Sequence, residues 1–142
     1  MMDGALVVGY DGLPGGEAAL EEAISLARAS GNTRLVLVFA YEPPARAGGE
    51  VADLREVLRE MGEELEVKAH EKAEAAGVEH ELVLIDARPA QGLAQIAEDH
   101  DARMIIVGGA GEAPLKGAIL GSVPHKLLHL TDRPVLVVRG EV

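Results

Sequence analysis

Cysteine is absent from this chain of 142 residues. That removes disulfides, Cys-ligated zinc, iron–sulfur clusters and thiol catalysis, and it fits a cytoplasmic protein. Aromatic residues are almost missing as well, with Tyr10, Phe39 and Tyr41 the whole set. Three such side chains make no base-stacking platform for a single nucleic-acid strand. Basic residues are scarce: 13 Lys plus Arg stand against 24 Asp plus Glu, a net charge of −11. A field of that sign opposes binding to nucleic acid and to anionic membranes. It also opposes a free nucleotide, so any phosphate site has to draw on local N–H donors or a metal ion. No apolar run approaches the roughly 18 residues needed to span a bilayer. The opening MMDGALVV has no basic stretch ahead of an apolar one, so no signal peptide is expected.

What is present is a regular alternation of apolar runs and amphipathic segments, and the length fits one domain over residues 1–142. Residues 5–10 (ALVVGY) read as strand 1, ending at Asp11-Gly12. Leu13-Pro14-Gly15-Gly16 reads as a turn, and a helix from Glu17 carries Leu20, Ala23, Ile24 and Ala27 on one face until Gly31-Asn32. Residues 35–40 (LVLVFA), apolar on both faces, suit the inside of a parallel sheet. After a Pro/Gly-rich loop, Val51, Leu54, Leu58, Met61, Leu65, Ala69, Ala73 and Ala76 form one helical stripe expected to pack on the sheet. Gly77 ends that helix. Residues 78–85 read as strand 3 at a sheet edge. A helix then starts at Pro89 with Leu93, Ile96 and Ala97 inward.

Residues 104–107 (MIIV) form strand 4 and stop at Gly108-Gly109-Ala110-Gly111. A last helix from about Val123 turns Val123, Leu127 and Leu130 inward, and residues 134–138 (PVLVV) are strand 5. Five strands alternating with four helices predict a doubly wound, five-stranded parallel α/β sheet with helices on both faces. No helix follows strand 5 before the sequence ends, so that strand is expected at an edge. Pairing of two chains through Val135–Val138 would cover it.

In such sheets ligands sit beyond the carboxyl ends of the strands, where the strand order reverses. If strands 1 and 4 are neighbours, Asp11 and the glycine loop face each other across that crevice. Asp11 can accept hydrogen bonds from ribose hydroxyls, and glycine backbone with a helix N-terminus can cradle phosphate. Gly111 to Gly117 is no Walker loop, because Lys116 and Gly117 are in reversed order, and Gly9-Tyr10-Asp11-Gly12 is no dinucleotide fingerprint. A phosphoacceptor domain would need an acidic neighbour for Asp11 and a lysine near strand 5, where Arg139 stands instead. His125 and His129 have the spacing of a zinc pair, but on this helix they fall on the solvent side and lack an evident third ligand.

The spacing that does fit is Gly108, two residues, Gly111, nine residues, then Gly121-Ser122. With the Asp11-Gly12 turn and the closing PVLVV, it resembles the universal stress protein family, in the branch that binds ATP through this motif. The resemblance covers the chain from Ala5 to Arg139. It implies a strand order of 3-2-1-4-5 with the crevice between strands 1 and 4. It implies Asp11 at the ribose or adenine side and the Ala40 backbone on the adenine edge. Val107 and Gly108 would line the ribose, with Gly111, Gly121, Ser122 and the Val123 N–H on the phosphates. The ligand implied is ATP, alone or with magnesium, and the assembly a homodimer through the last strand. The role implied is that of a cytoplasmic stress-response sensor or modulator.

Leu13 stands where the family pattern has Ser, while Gly109, Ala110 and Glu112 replace polar or basic residues. Pro124 removes an N–H from the last helix, and Lys116 is the loop's one cation, so weak phosphate affinity is expected. No residue set reads as catalytic. A slow ATPase, with Glu112 as its base, and a dimeric scaffold without nucleotide are the alternatives.

Overall fold

The structure, a computed structural model, describes residues 4–41, 49–109 and 122–139. The apolar runs become strands β1 (Leu6–Gly9), β2 (Leu35–Tyr41), β3 (His80–Asp86), β4 (Met104–Gly108) and β5 (Val135–Val138). All pair in parallel, in the order β3-β2-β1-β4-β5. The helices are α1 (Pro14–Ala29), α2 (Gly49–Ala75), α3 (Pro89–Asp99) and α4 (Ser122–Leu130). The twofold alternation along each strand divides the core into two layers. Leu6, Val8, Leu35, Leu37 and Ile106 meet α1 and α2, while Val7, Val36, Val38, Ile105 and Val107 meet α3 and α4. Among the described residues, no helix is long and apolar enough to cross a membrane.

Several local expectations are corrected. Leu13 to Gly16 is not a turn ahead of the helix, because α1 begins at Pro14. Proline suits a first helical position, where its missing N–H would have no partner anyway, and Glu17 falls in the first turn. Leu13 is the N-cap and makes no side-chain cap hydrogen bond. β3 starts at His80 rather than Val78, because the chain is still closing α2 there. Gly77 is left-handed at φ 70, and the Val78 N–H donates to the Ala73 carbonyl at 3.0 Å.

The stripe on α2 is only partly buried. Ala69 and Ala73 are buried, but Leu54 and Met61 are exposed at 37% and 49%. Gly62 takes the buried position beside Met61: a Cβ there would stand 2.5 Å from a Leu84 methyl and 2.6 Å from the Phe39 ring. The reason is length. A helix of 27 residues spans about 40 Å, whereas β2 and β3, at seven residues each, span about 23 Å. On α4, Leu127 and Pro124 are the buried residues, while Leu130 is exposed, against expectation.

Candidate functional site

β1 runs into α1 on one face of the sheet, and the chain after β4 reaches α4 on the other. The two strands are hydrogen-bonded neighbours, so the backbone diverges between them at their carboxyl ends. A crevice of about 200 Å³ opens there. Asp11, Ala40, Val107, Gly108, Ser122 and Val123 all line it, so six of the eight residues singled out in the sequence come together. The other two, Gly111 and Gly121, lie outside the described residues, as do Ala110, Glu112 and Lys116.

The walls are made mostly of main chain, because glycines let two elements touch. A Cβ on Gly108 would stand 2.5 Å from the Gly15 carbonyl carbon and 2.6 Å from its oxygen. The end of β4 and the first turn of α1 are therefore in backbone contact, which no other residue type at 108 allows without displacement. Gly16 is held as closely: a Cβ there would meet Asp11 Oδ1 at 2.2 Å. Gly109 is different, with its nearest neighbours at ordinary contact distance, 3.5 Å away. Asp11 itself accepts the Leu13 N–H on Oδ1 at 3.0 Å, an Asx turn that shapes the entry to α1.

Ala40 is exposed to the crevice through its backbone. The Tyr10 N–H donates to Val38 O, and the Ala87 N–H donates to Tyr41 O. Even-numbered residues of β2 thus direct their peptide groups toward β1, and odd-numbered ones toward β3. By this alternation the N–H and C=O of Ala40 point past the end of β1, at Gly9, into the crevice. One donor and one acceptor lie side by side there.

Gly15 and Gly16 of α1, Pro89 of α3 and Ser122 and Val123 of α4 all belong to the lining, so three helix N-termini converge on one space. Each contributes partial positive charge. No Lys, Arg or His is in the lining among the described residues, and Asp11 is its one carboxylate. Pro124 lines the crevice at the start of α4, where the sequence places it, while Gly15, Gly16 and Pro89 were not expected there. The Pro14-Gly15-Gly16 run was the available signal, and it was read as a turn.

Behind the crevice, Tyr10 packs in the layer under α1 and α2. Burial, then the Glu17 carboxylate beside it, pushes its hydroxyl well above the usual phenol range. Burial alone would raise the Glu17 carboxyl, but Lys72, hydrogen-bonded to it, and Tyr10 hold it below its ordinary value. Tyr10 Oη and Glu17 Oε1 are both buried and, close as they are, make no well-formed hydrogen bond.

The sequence profile described as the Universal stress protein family matches residues 4–139. The chain belongs to that family. Among its relatives, a universal stress protein of Bacillus subtilis is 34% identical over 89 residues, 63% of this chain and 60% of that protein's length. A universal stress protein of Thermus aquaticus is 30% identical over 134 residues, covering 94% of this chain and 97% of that one. In three dimensions, the protein MJ0577 of Methanocaldococcus jannaschii superposes with a TM-score of 0.85 at 21% identity, covering 99% of both chains. A universal stress protein solved in complex with cAMP is 27% identical, with a TM-score of 0.77, covering 97% of this chain and 98% of that one.

Proposed function

We propose that this member of the universal stress protein family binds ATP in the crevice between β1 and β4, alone or with magnesium. The observation that carries the reading is the Ala40 peptide, unpaired by β1 and aimed into a space where three helix N-termini converge. An adenine edge offers one donor and one acceptor, which matches that peptide; a phosphate chain matches the helix ends. The cAMP complex of a relative supports an adenine nucleotide as the ligand class. In this proposal Asp11 holds the ribose or adenine side and Val107 and Gly108 line the ribose. Gly111, Gly121, Ser122 and the Val123 N–H hold the phosphates. Two chains pair through β5, whose residues are all only half-buried and which pairs with β4 on one side. Nucleotide occupancy then alters stability and partner contacts in a cytoplasmic stress response.

The test is direct. Protein purified without added nucleotide is denatured, and the supernatant is analysed for adenine compounds; calorimetry then follows ATP binding with and without magnesium. Binding is expected in the wild type and lost in Gly121→Asp. No heat with wild type, together with a Gly121→Asp protein that behaves identically, defeats the proposal. Sedimentation at micromolar concentration is expected to show a dimer, and a monomer there removes the pairing through β5.

A further inference from the structure

Two histidines and a glutamate meet at the opposite end of the sheet from the crevice. His70 and Glu74 stand one turn apart on α2, and His80 is the first residue of β3. His80 shares a sheet face with Leu82, in the layer under α1 and α2, so its ring is directed at α2. Nδ1 of His70 lies 2.7 Å from Nε2 of His80, with ring centroids 4.8 Å apart. A carboxylate oxygen of Glu74 completes a group whose donor atoms all lie within 4.8 Å of one another.

The other nitrogen of His80 fixes its chemistry. Nδ1 sits 2.9 Å from the carbonyl oxygen of Val78. A carbonyl can only accept, so Nδ1 carries the proton and Nε2 presents its lone pair to His70 and Glu74. A backbone carbonyl that fixes the tautomer in this way is the usual support of a metal-ligating histidine. A plain His–His hydrogen bond would account for the two nitrogens, but not for a carboxylate converging on the same point.

We propose that His70, Glu74 and His80 form a binding site for a zinc-type divalent transition ion. Two imidazoles and one carboxylate suit such an ion, whereas magnesium and calcium prefer oxygen donors throughout. Tetrahedral zinc at ordinary Zn–N lengths needs its two nitrogens about 3.3 Å apart. His70 is exposed, and a small side-chain rotation opens the pair to that spacing. Exposure of His70 and Glu74 also gives the ion a path in and leaves the fourth position to water. The chain's net charge of −11 favours a dication. Bound there, the ion ties the last turns of α2 to the edge strand across the turn at Gly77. The site does not depend on the nucleotide reading, since β3 separates the two by its length, on the order of 20 Å.

The same chain supplies a control. His125 and His129 face each other on exposed positions of α4, ring centroids 5.4 Å apart, but no third donor joins them among the described residues. Zinc chloride is titrated into untagged protein by calorimetry and against a chromophoric chelator, with thermal unfolding recorded alongside. One zinc per chain and a raised melting temperature are expected. His70→Ala and His80→Ala should each weaken binding by on the order of 100-fold, and Glu74→Gln by about tenfold. The His125→Ala/His129→Ala double variant and a magnesium titration should leave the result unchanged and empty, respectively. His70→Ala, at an exposed helix position, remains decisive if His80→Ala fails to fold. The proposal falls if wild type binds no zinc at micromolar concentration, if His70→Ala binds as wild type does, or if the α4 double variant abolishes binding.

Discussion

The crevice and the flank of α2 are built in opposite ways. At the crevice, glycines bring strand ends and helix starts so close that peptide groups form most of the wall, and among the described residues the lining has a single carboxylate. Along α2 the contacts are long side chains reaching across: Lys72 to Glu17, Arg55 to Asp86 at 3.2 Å, and His70 to His80. A surface built of backbone is damaged by adding an atom. One built of side chains is damaged by removing them.

The largest effect should follow from the smallest addition. Gly108→Ala sets a methyl group against the Gly15 backbone, which cannot swing aside as a side chain could. A loss of about 1–3 kcal/mol is expected in urea unfolding, together with loss of the ATP binding proposed above. A stability within ~0.5 kcal/mol of wild type would show that the close contact is dispensable.

Gly77→Ala should come next. Nothing crowds a Cβ at that position, so the whole effect arises from the left-handed backbone. About 1–2 kcal/mol is expected, again from urea unfolding, and a neutral result would mean the turn relaxes.

On the side-chain flank, Lys72→Met should cost about 1 kcal/mol at neutral pH, since Glu17 loses its hydrogen-bonded cation and keeps only the more distant Lys68, 3.7 Å away. The sign follows from the lowered value. The Glu17 contribution is complete above its unfolded pKa, about 4.3, and disappears as pH falls through the folded one. The gap between wild type and variant should therefore narrow between pH 5 and the acid limb of unfolding, scaled to about one proton. A gap that stays constant there would assign the effect to lost packing of the lysine stem.

The smallest effect belongs to Gly109→Ala. Its nearest neighbours already lie at ordinary distance, so a change within ~0.5 kcal/mol is expected. Two adjacent glycines at the end of β4 should then differ severalfold, which sharpens the contrast between a glycine kept for contact and one that is not.

Much of the fold was legible because four of the five strands are short apolar runs, and because glycines follow the ends of α1 and α2. The strand order came with the family resemblance, and the pairing of β1 with β4 agrees with it. The error along α2 has a plain cause: hydrophobic spacing describes a helix alone, without the length of what it packs on. That is why Met61 was assigned inward and Gly62 overlooked. Asp11, Ala40 and Gly108 line the crevice where strand ends and the family resemblance put them. Gly15 and Gly16 were missed, since a Pro-Gly-Gly run carries no mark that distinguishes a turn from a helix start packed against a distant strand. The zinc-type triad was invisible for a similar reason. His70 and Glu74 have helical spacing, but only the α2–β3 turn brings His80 to them.

The convergence of helix ends on the crevice has a consequence for how the protein responds to its surroundings. Peptide dipoles do not titrate, cannot be acetylated and carry no exchangeable counterion. The share of positive potential that the three helix ends supply to the crevice is therefore the same whether the surrounding solution drifts acidic or alkaline, for as long as the fold itself holds. In the proposed nucleotide site, that share of the attraction would be set by the fold and not by the ionisation of a basic side chain.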